Sequence, residues 1–285
     1  MIGVFDSGFG GLTILRSIHA RLPTYDTFYL GDSARNPYGN RSLEVVTTFT
    51  REAVDFLFEA GCPLVVLACN TASAQALRTL QQRYLPERWP DRRILGVVRP
   101  SAEALAGLPP CSIPGVTTAS EVRGTVAVLG TSGTITSGSY ALELAKLAPG
   151  LNLISQACPL WVPLVESGEL SGPGTDFFLH KYLDPLFLRP EPPTRILLGC
   201  THYPLLFPGI RGIVPRQVEI IEQGPLVADR LADWLQRHPE MDSRLARRSS
   251  CRYATTEDPT WFADQGEGIL GHRFDVHRVH LRPVG

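Results

Sequence analysis

Eight short apolar runs, near residues 2–5, 27–30, 64–67, 94–98, 125–129, 151–156, 194–198 and 218–221, recur along this 285-residue chain with helix-length intervals after most of them. Strands this short, alternating with helices, bury themselves most readily as a parallel sheet, because each return to the same sheet requires a helical crossover. Apolar spacing predicts helices over Leu12–Leu22, Leu43–Glu59, Ala72–Tyr84, Tyr140–Leu147 and Leu226–Leu235. The expected fold class is therefore α/β with mostly parallel sheets flanked by helices.

A second regularity divides the chain. The run Gly3-Val4-Phe5-Asp6-Ser7-Gly8 has a counterpart in Val128-Leu129-Gly130-Thr131-Ser132-Gly133, matching Asp6 to Thr131. At nearly the same interval each is followed by an apolar run ending in a cysteine: Leu64 to Leu67 before Ala68-Cys69-Asn70-Thr71, and Ile196 to Leu198 before Gly199-Cys200-Thr201-His202. Two similar halves are expected, with the segment 100–118, rich in Pro109, Pro110, Pro114 and Gly115, as connecting chain and a boundary near residue 98.

Composition removes several classes of function. With 44% hydrophobic residues the chain can bury a full core. Its 27 basic against 28 acidic residues offer no general attraction to phosphate backbones or anionic lipid, so neither nucleic acid nor a membrane is an expected partner. No apolar stretch reaches the roughly 18 residues that span a bilayer, and the chain opens on a strand-like Ile2-Gly3-Val4-Phe5, so a cytoplasmic location is expected. Six cysteines, at 62, 69, 111, 158, 200 and 251, lie far apart without a C-x-x-C, which argues against a disulfide framework and a zinc ribbon. No metal site and no cofactor is expected. Cys62, Cys111, Cys158 and Cys251 read as small hydrophobes or bystanders.

Cys69 and Cys200 differ from the other four because each should emerge at a strand end beside hydroxyls, amides and a helix amino terminus, all of which favour thiolate over thiol. A free thiol lies about 1.5 pKa units above neutrality, so ionising it costs roughly 2 kcal/mol, which one nearby charge or a few hydrogen bonds can offset. Two such sulfurs across one pocket could remove a proton from one face of a stereocentre and return one to the other, exchanging roles with the direction of reaction. Asp6, Glu166 and His202 could relay or hold protons. Ser7, Asn70, Thr71, Thr131, Thr134, Thr201 and the backbone of Pro37-Tyr38-Gly39 are the candidate donors to a carboxylate.

Six motifs then appear in order: D-S-G-F-G-G at 6–11, G-D-S-A-R-N-P-Y-G at 31–39, A-C-N-T-A-S at 68–73, G-T-S-G-T at 130–134, C-P-L-W-V-P-L-V-E at 158–166 and G-C-T-H-Y-P at 199–204. Together they resemble glutamate racemase, and the tail Tyr253 to Pro259 is similar to that family's closing strand and turn. The resemblance implies two pseudo-symmetric α/β domains with the active site between them. Residues 1–97 plus 222–285 would form the first, carrying Asp6 and Cys69, and residues 98–221 the second, carrying Glu166, Cys200 and His202. It further implies cofactor-independent interconversion of L- and D-glutamate, Cys69 acting on the D enantiomer and Cys200 on the L, with Asp6, Glu166 and His202 assisting. Ser7, Pro37, Tyr38, Gly39, Asn70, Thr71, Thr131, Thr134 and Thr201 would bind substrate. A homodimer that supplies D-glutamate for peptidoglycan, and so for cell-wall biogenesis and cell shape, is the family expectation.

The chain departs from the family pattern at Arg99, where an acidic residue is commoner, and at Glu222-Gln223, where an acidic-small pair is commoner. It also starts at the first strand, without the extension of members activated by a peptidoglycan precursor. An aspartate racemase of the same superfamily, a related lyase or decarboxylase, and a catalytically idle binding protein are the competing readings. The lyase typically keeps one key cysteine and the idle protein need keep neither, whereas both are present here.

Overall fold

The computed structural model describes residues 1–108 and 122–283. Cys111, Pro109, Pro110, Pro114 and Gly115 lie outside them. Among the described residues, ten strands form two sheets in which every paired neighbour is parallel. The first contains β1 (Ile2–Asp6), β2 (Thr27–Gly31), β3 (Leu64–Leu67), β4 (Arg93–Gly96), β9 (Cys251–Thr255) and β10 (Val276–Arg278), in the order β10-β9-β2-β1-β3-β4. The second contains β5 (Gly124–Gly130), β6 (Leu151–Ala157), β7 (Arg195–Leu198) and β8 (Glu219–Ile221), in the order β6-β5-β7-β8.

In both sheets the chain steps from a central strand to one side and then returns to the other. The reversals fall between β1 and β3 and between β5 and β7, the places where open parallel sheets present ligand sites beyond their strand ends. The backbone register matches at equivalent places in the two halves: Ala68 N–H donates to the Phe5 carbonyl at 2.8 Å, and Gly199 N–H to that of Leu129 at 2.7 Å. Cys69 and Cys200 each follow by one residue. This register pairs Asp6 with Gly130 and Ser7 with Thr131, one residue away from the match that the sequence motif suggested, because strand ends are fixed by hydrogen bonding rather than by side-chain likeness.

Several helices were not foreseen, and proline explains the largest omissions. Pro100 sits in the first turn of helix Val98–Leu105, where an absent N–H breaks no intrahelical bond, so residues 100–105 are helix rather than connecting chain. Helix Pro173–Phe187 begins on proline and carries Pro185 inside. Helix Gln223–Arg237 starts three residues earlier than the apolar spacing indicated and packs chiefly on helix Leu12–Arg21. The strand β10 escaped notice because it is three residues long, half-buried to exposed, at a sheet edge. No helix among the described residues is long and apolar enough to cross a membrane.

The core does not split cleanly along the sheets. One buried cluster joins Ile2, Val4, Phe9 and Leu12 of the first half to Ala127, Leu129, Trp161, Leu198 and Tyr203 of the second, while separate clusters cover the remaining face of each sheet. Leu129→Ala, at a fully buried central position, is expected to cost about 3 kcal/mol. Because the cluster is shared, urea unfolding followed by tryptophan fluorescence and by circular dichroism should give coincident single transitions, and two separated transitions would contradict the shared core.

Candidate active site

Each cysteine reaches its position by the same local logic. Leu67 ends β3, Ala68 still pairs with β1, and Cys69 turns extended to cap helix Asn70–Gln75, so its sulfur sits at a helix amino terminus. Cys200 follows β7 and leads into the short helix Tyr203–Leu206. Both are nearly closed to solvent, Cys69 at 5% and Cys200 at 6% exposure.

The surroundings of the two sulfurs differ. Cys69 Sγ donates to Ser7 Oγ at 3.6 Å. Burial pushes this thiol up to about 12, assisted by the charges of Asp6 and Cys200, against smaller opposing effects from the Ala72 amide and Ser7. Cys200 Sγ instead lies 3.9 Å from His202 Nδ1, and His202 Nε2 lies 2.5 Å from Glu166 Oε1. Burial alone would lower the imidazole, but Cys200 and Glu166 outweigh it and lift His202 to about 10. A protonated imidazole therefore stands between the Cys200 sulfur and a carboxylate. Glu166 Oε1 also accepts from Asn36 Nδ2 at 2.8 Å.

Asp6 joins the halves. Its Oδ2 accepts from the N–H groups of Gly8 and Gly11, each at 3.1 Å, and its Oδ1 from Thr201 Oγ1 at 3.3 Å. Burial raises this carboxyl to about 6 in spite of His202 and those donors. Gly10 and Gly11 of the loop are required by contact: a Cβ on Gly10 would stand 2.6 Å from His202 Nδ1 and 2.8 Å from Thr201 Oγ1, and one on Gly11 2.4 Å from Asp6 Cβ. Phe9 completes the approach with its ring edge-on to the imidazole, 5.2 Å between centroids.

A second seam is made of hydroxyls. Thr71 Oγ1 lies 3.0 Å from Thr131 Oγ1 and 3.3 Å from Thr134 Oγ1, and the latter two are 3.1 Å apart. Gly39 touches this triangle so closely that a Cβ would meet Thr131 Cβ at 2.5 Å. Tyr38 is buried and donates its hydroxyl to Asp32, so Pro37-Tyr38-Gly39 can face a ligand through backbone rather than through the phenol. Asn70 is buried beside Cys69 with its amide engaged by Gln223 and Tyr140.

The expected residues thus meet along two seams between the halves: Asp6, Glu166, Thr201 and His202 around one, and Gly39, Thr71, Thr131 and Thr134 around the other, while Ser7 contacts Cys69 of its own half. A small cavity of about 90 Å³ is lined by Cys200, Thr201, Gln223 and Thr13. A larger one, about 510 Å³, lies behind helix Asn70–Gln75 among Ser73, Arg78, Arg99, Glu143 and Trp234, and none of the expected site residues lines it. Arg99 belongs there, paired with Glu103 at 2.8 Å and Glu143 at 3.0 Å. Cys62 and Cys158 are buried, Cys158 close enough to Cys200 to be affected by its charge, and Cys251 is half-buried on β9. Asn36, Gln75, which donates to the Gly133 carbonyl at 3.0 Å, and Tyr140 were missed by sequence reasoning, since their partners lie 58 to 130 residues away.

No family model matches the chain. Among curated proteins it is 38% identical over 280 residues to a glutamate racemase of Roseobacter denitrificans, an alignment covering 96% of this chain and 98% of that one. Among solved structures it is similar to a glutamate racemase isoform of Bacillus anthracis, with TM-score 0.84, 34% identity and coverage of 100% and 98%. It is similar also to the glutamate racemase of Francisella tularensis in complex with D-glutamate, with TM-score 0.82, 29% identity and coverage of 98% and 97%.

The shift at His202 has a consequence for stability. A base held at about 10 in the folded chain but near 6.5 when unfolded binds its proton more tightly folded, so its contribution is complete below about pH 6.5 and is lost as pH climbs through 10. Urea unfolding at pH 6.5, 8 and 10 should show the wild-type protein losing stability relative to His202→Gln across that window. Parallel curves would contradict the pairing.

Proposed function

The chain belongs to the glutamate racemase family and is an isomerase, and from that premise we propose that it interconverts L- and D-glutamate by a two-thiol acid/base mechanism without a cofactor. The observation that carries this reading is the matched placement of Cys69 and Cys200, one residue beyond equivalent backbone pairings on β3 and β7. The family relatives, one of them solved with D-glutamate, support the choice of substrate.

In the D-to-L direction Cys69 as thiolate takes the α-proton and Cys200 as thiol delivers one to the opposite face. The reverse reaction exchanges these roles. Buried and beside Asp6, Cys69 rests as a thiol before substrate arrives. The α-ammonium of an arriving amino acid supplies the positive charge that favours its ionisation. Asp6, near 6 and so largely ionised at neutral pH, accepts or shares that proton. On the other side the His202–Glu166 pair supplies and recovers the proton of Cys200. The weak acidity of the carbon is met by fixed donors: Ser7, Thr71, Thr131, Thr134, Thr201, the Asn70 amide and the backbone of residues 37–39 hold the carboxylates as charge develops.

Residues 1–97 with 222–285, and 98–221, are proposed to move as two domains that part to admit substrate. A cytoplasmic homodimer that supplies D-glutamate for peptidoglycan fits the family reading. Purified protein incubated with D-glutamate in deuterated water should exchange the α-proton and form L-glutamate, and exchange of aspartate but not glutamate would assign a different substrate. Cys69→Ser and Cys200→Ser should each lower turnover by about 1,000-fold, since a hydroxyl is a far weaker acid than a thiol. Turnover above about a tenth of wild type in either variant is incompatible with two obligatory thiols.

A further inference from the structure

Gln223, one of the two departures from the family pattern after β8, sits at the start of helix Gln223–Arg237 and is almost wholly buried. Its side chain closes a ring of hydrogen bonds. Tyr140 Oη donates to Asn70 Oδ1 at 2.7 Å, Asn70 Nδ2 donates to Gln223 Oε1 at 2.6 Å, and Gln223 Nε2 donates back to Tyr140 Oη at 3.0 Å. Gln223 Nε2 also donates to Ser101 Oγ at 2.7 Å, and Ser101 Oγ in turn donates to the Val97 carbonyl at 2.6 Å. Each group in this circuit spends its donor on the next, so the donor direction is determined throughout. Burial, with the charge of Cys200, holds the Tyr140 phenol far above its ordinary value, so it keeps the proton that it donates.

The four residues are all buried and come from four helices, Asn70–Gln75, Val98–Leu105, Ser139–Leu147 and Gln223–Arg237. Asn70 follows Cys69 directly, and Gln223 lines the small cavity with Cys200. Gln223 Nε2, whose two N–H groups are directed to Tyr140 Oη and Ser101 Oγ, stands 3.1 Å from Asn70 Oδ1. An asparagine amide has two acceptor positions and two N–H groups. Tyr140 takes one acceptor position and Gln223 takes one N–H, and among the described residues the other N–H on Nδ2 is not engaged.

We propose that Gln223 and Tyr140 are positioning residues that lock the orientation of the Asn70 amide, so that its remaining N–H, and never its carbonyl oxygen, faces the anionic substrate. The inference rests on the reading of Asn70 as a substrate-binding residue. With Oδ1 turned to the substrate instead, the same side chain would present an acceptor to a carboxylate and repel it. The lock also joins the segment after Cys69 to helix Ser139–Leu147, so the orientation is set only when the halves are together.

The test uses Gln223→Glu, which keeps the shape but can donate to neither Tyr140 nor Ser101, and Tyr140→Phe, which removes the phenol. Each should raise KM for both glutamate enantiomers about tenfold while kcat stays within about threefold, the loss of one charge-assisted hydrogen bond to substrate. In an Asn70→Ala background the same substitutions should leave KM unchanged within about twofold, because no amide remains to be oriented. Active wild-type enzyme with unaltered KM in both single variants overturns the lock alone. So does an equal rise in KM with and without Asn70. Wild-type protein that fails to exchange glutamate overturns the underlying reading instead. Should Gln223→Glu fail to fold, Tyr140→Phe with and without Asn70→Ala decides the question by itself.

Discussion

One buried carboxylate sets the geometry on which the rest depends. Asp6 is removed from water at the end of β1, and a group so placed must find hydrogen-bond donors or remain protonated. Two of its donors are N–H groups of its own loop and the third is the hydroxyl of Thr201, from the other half of the chain. That loop is drawn against Thr201 and His202 so tightly that Gly10 has no space for a side chain. The imidazole is thereby wedged between Phe9, Cys200 and Glu166. Satisfying Asp6 and orienting His202 are consequences of the same contact.

The halves repeat one another in backbone but not in the chemistry around their sulfurs. Register places Ser7 where Thr131 stands in the other half, and Cys69 where Cys200 stands, yet Asp6 answers to Gly130 and, among the described residues, nothing next to Cys69 answers to the His202–Glu166 pair. On the proposed reading the two thiols need not share a resting protonation state. Cys69 is a thiol held by burial, and the incoming ammonium must help ionise it. Cys200 faces an imidazole that already carries a proton and can return it after turnover. A reversible reaction requires only that each sulfur be able to act in both senses, and different helpers can supply that.

Much of this was legible in the sequence because it is local. A strand that ends in cysteine is visible as an apolar run with a thiol after it, and the repetition of that unit pointed to two halves. What escaped depends on distant partners or on exceptions to local rules. Pro100 was read as a break although it occupies a first turn that tolerates it. The one-residue offset between Asp6 and Thr131 could be corrected only by the pairing of β1 with β3 and β5 with β7. Gln223 stood out as unusual, but its ring with Asn70 and Tyr140 spans 83 and 153 residues of chain, and no motif spacing encodes a contact of that kind.

The closed arrangement carries its own argument about access. Both sulfurs are almost fully covered and the cavity beside Cys200 is about 90 Å³, so an amino acid enters only if the seams part. Among the bonds that cross them are Thr201 to Asp6, Asn36 to Glu166, Thr13 to the Thr201 carbonyl, Thr71 to Thr131 and Thr134, Gln75 to the Gly133 carbonyl, Ser139 to the Ala74 carbonyl and Tyr140 to Asn70. Each is worth about 1 kcal/mol net, because water replaces it on opening. Opening the seams therefore costs far less than the gross strength of these bonds, and on the proposed reading substrate carboxylates take over the freed donors. The shared cluster of Phe9, Trp161, Leu198 and Tyr203 has no such substitute, since exposing it would return apolar surface to water. On the proposed reading, motion is directed to the polar seams while the apolar cluster stays packed, and the donors that close the seams are the ones left to grip the substrate.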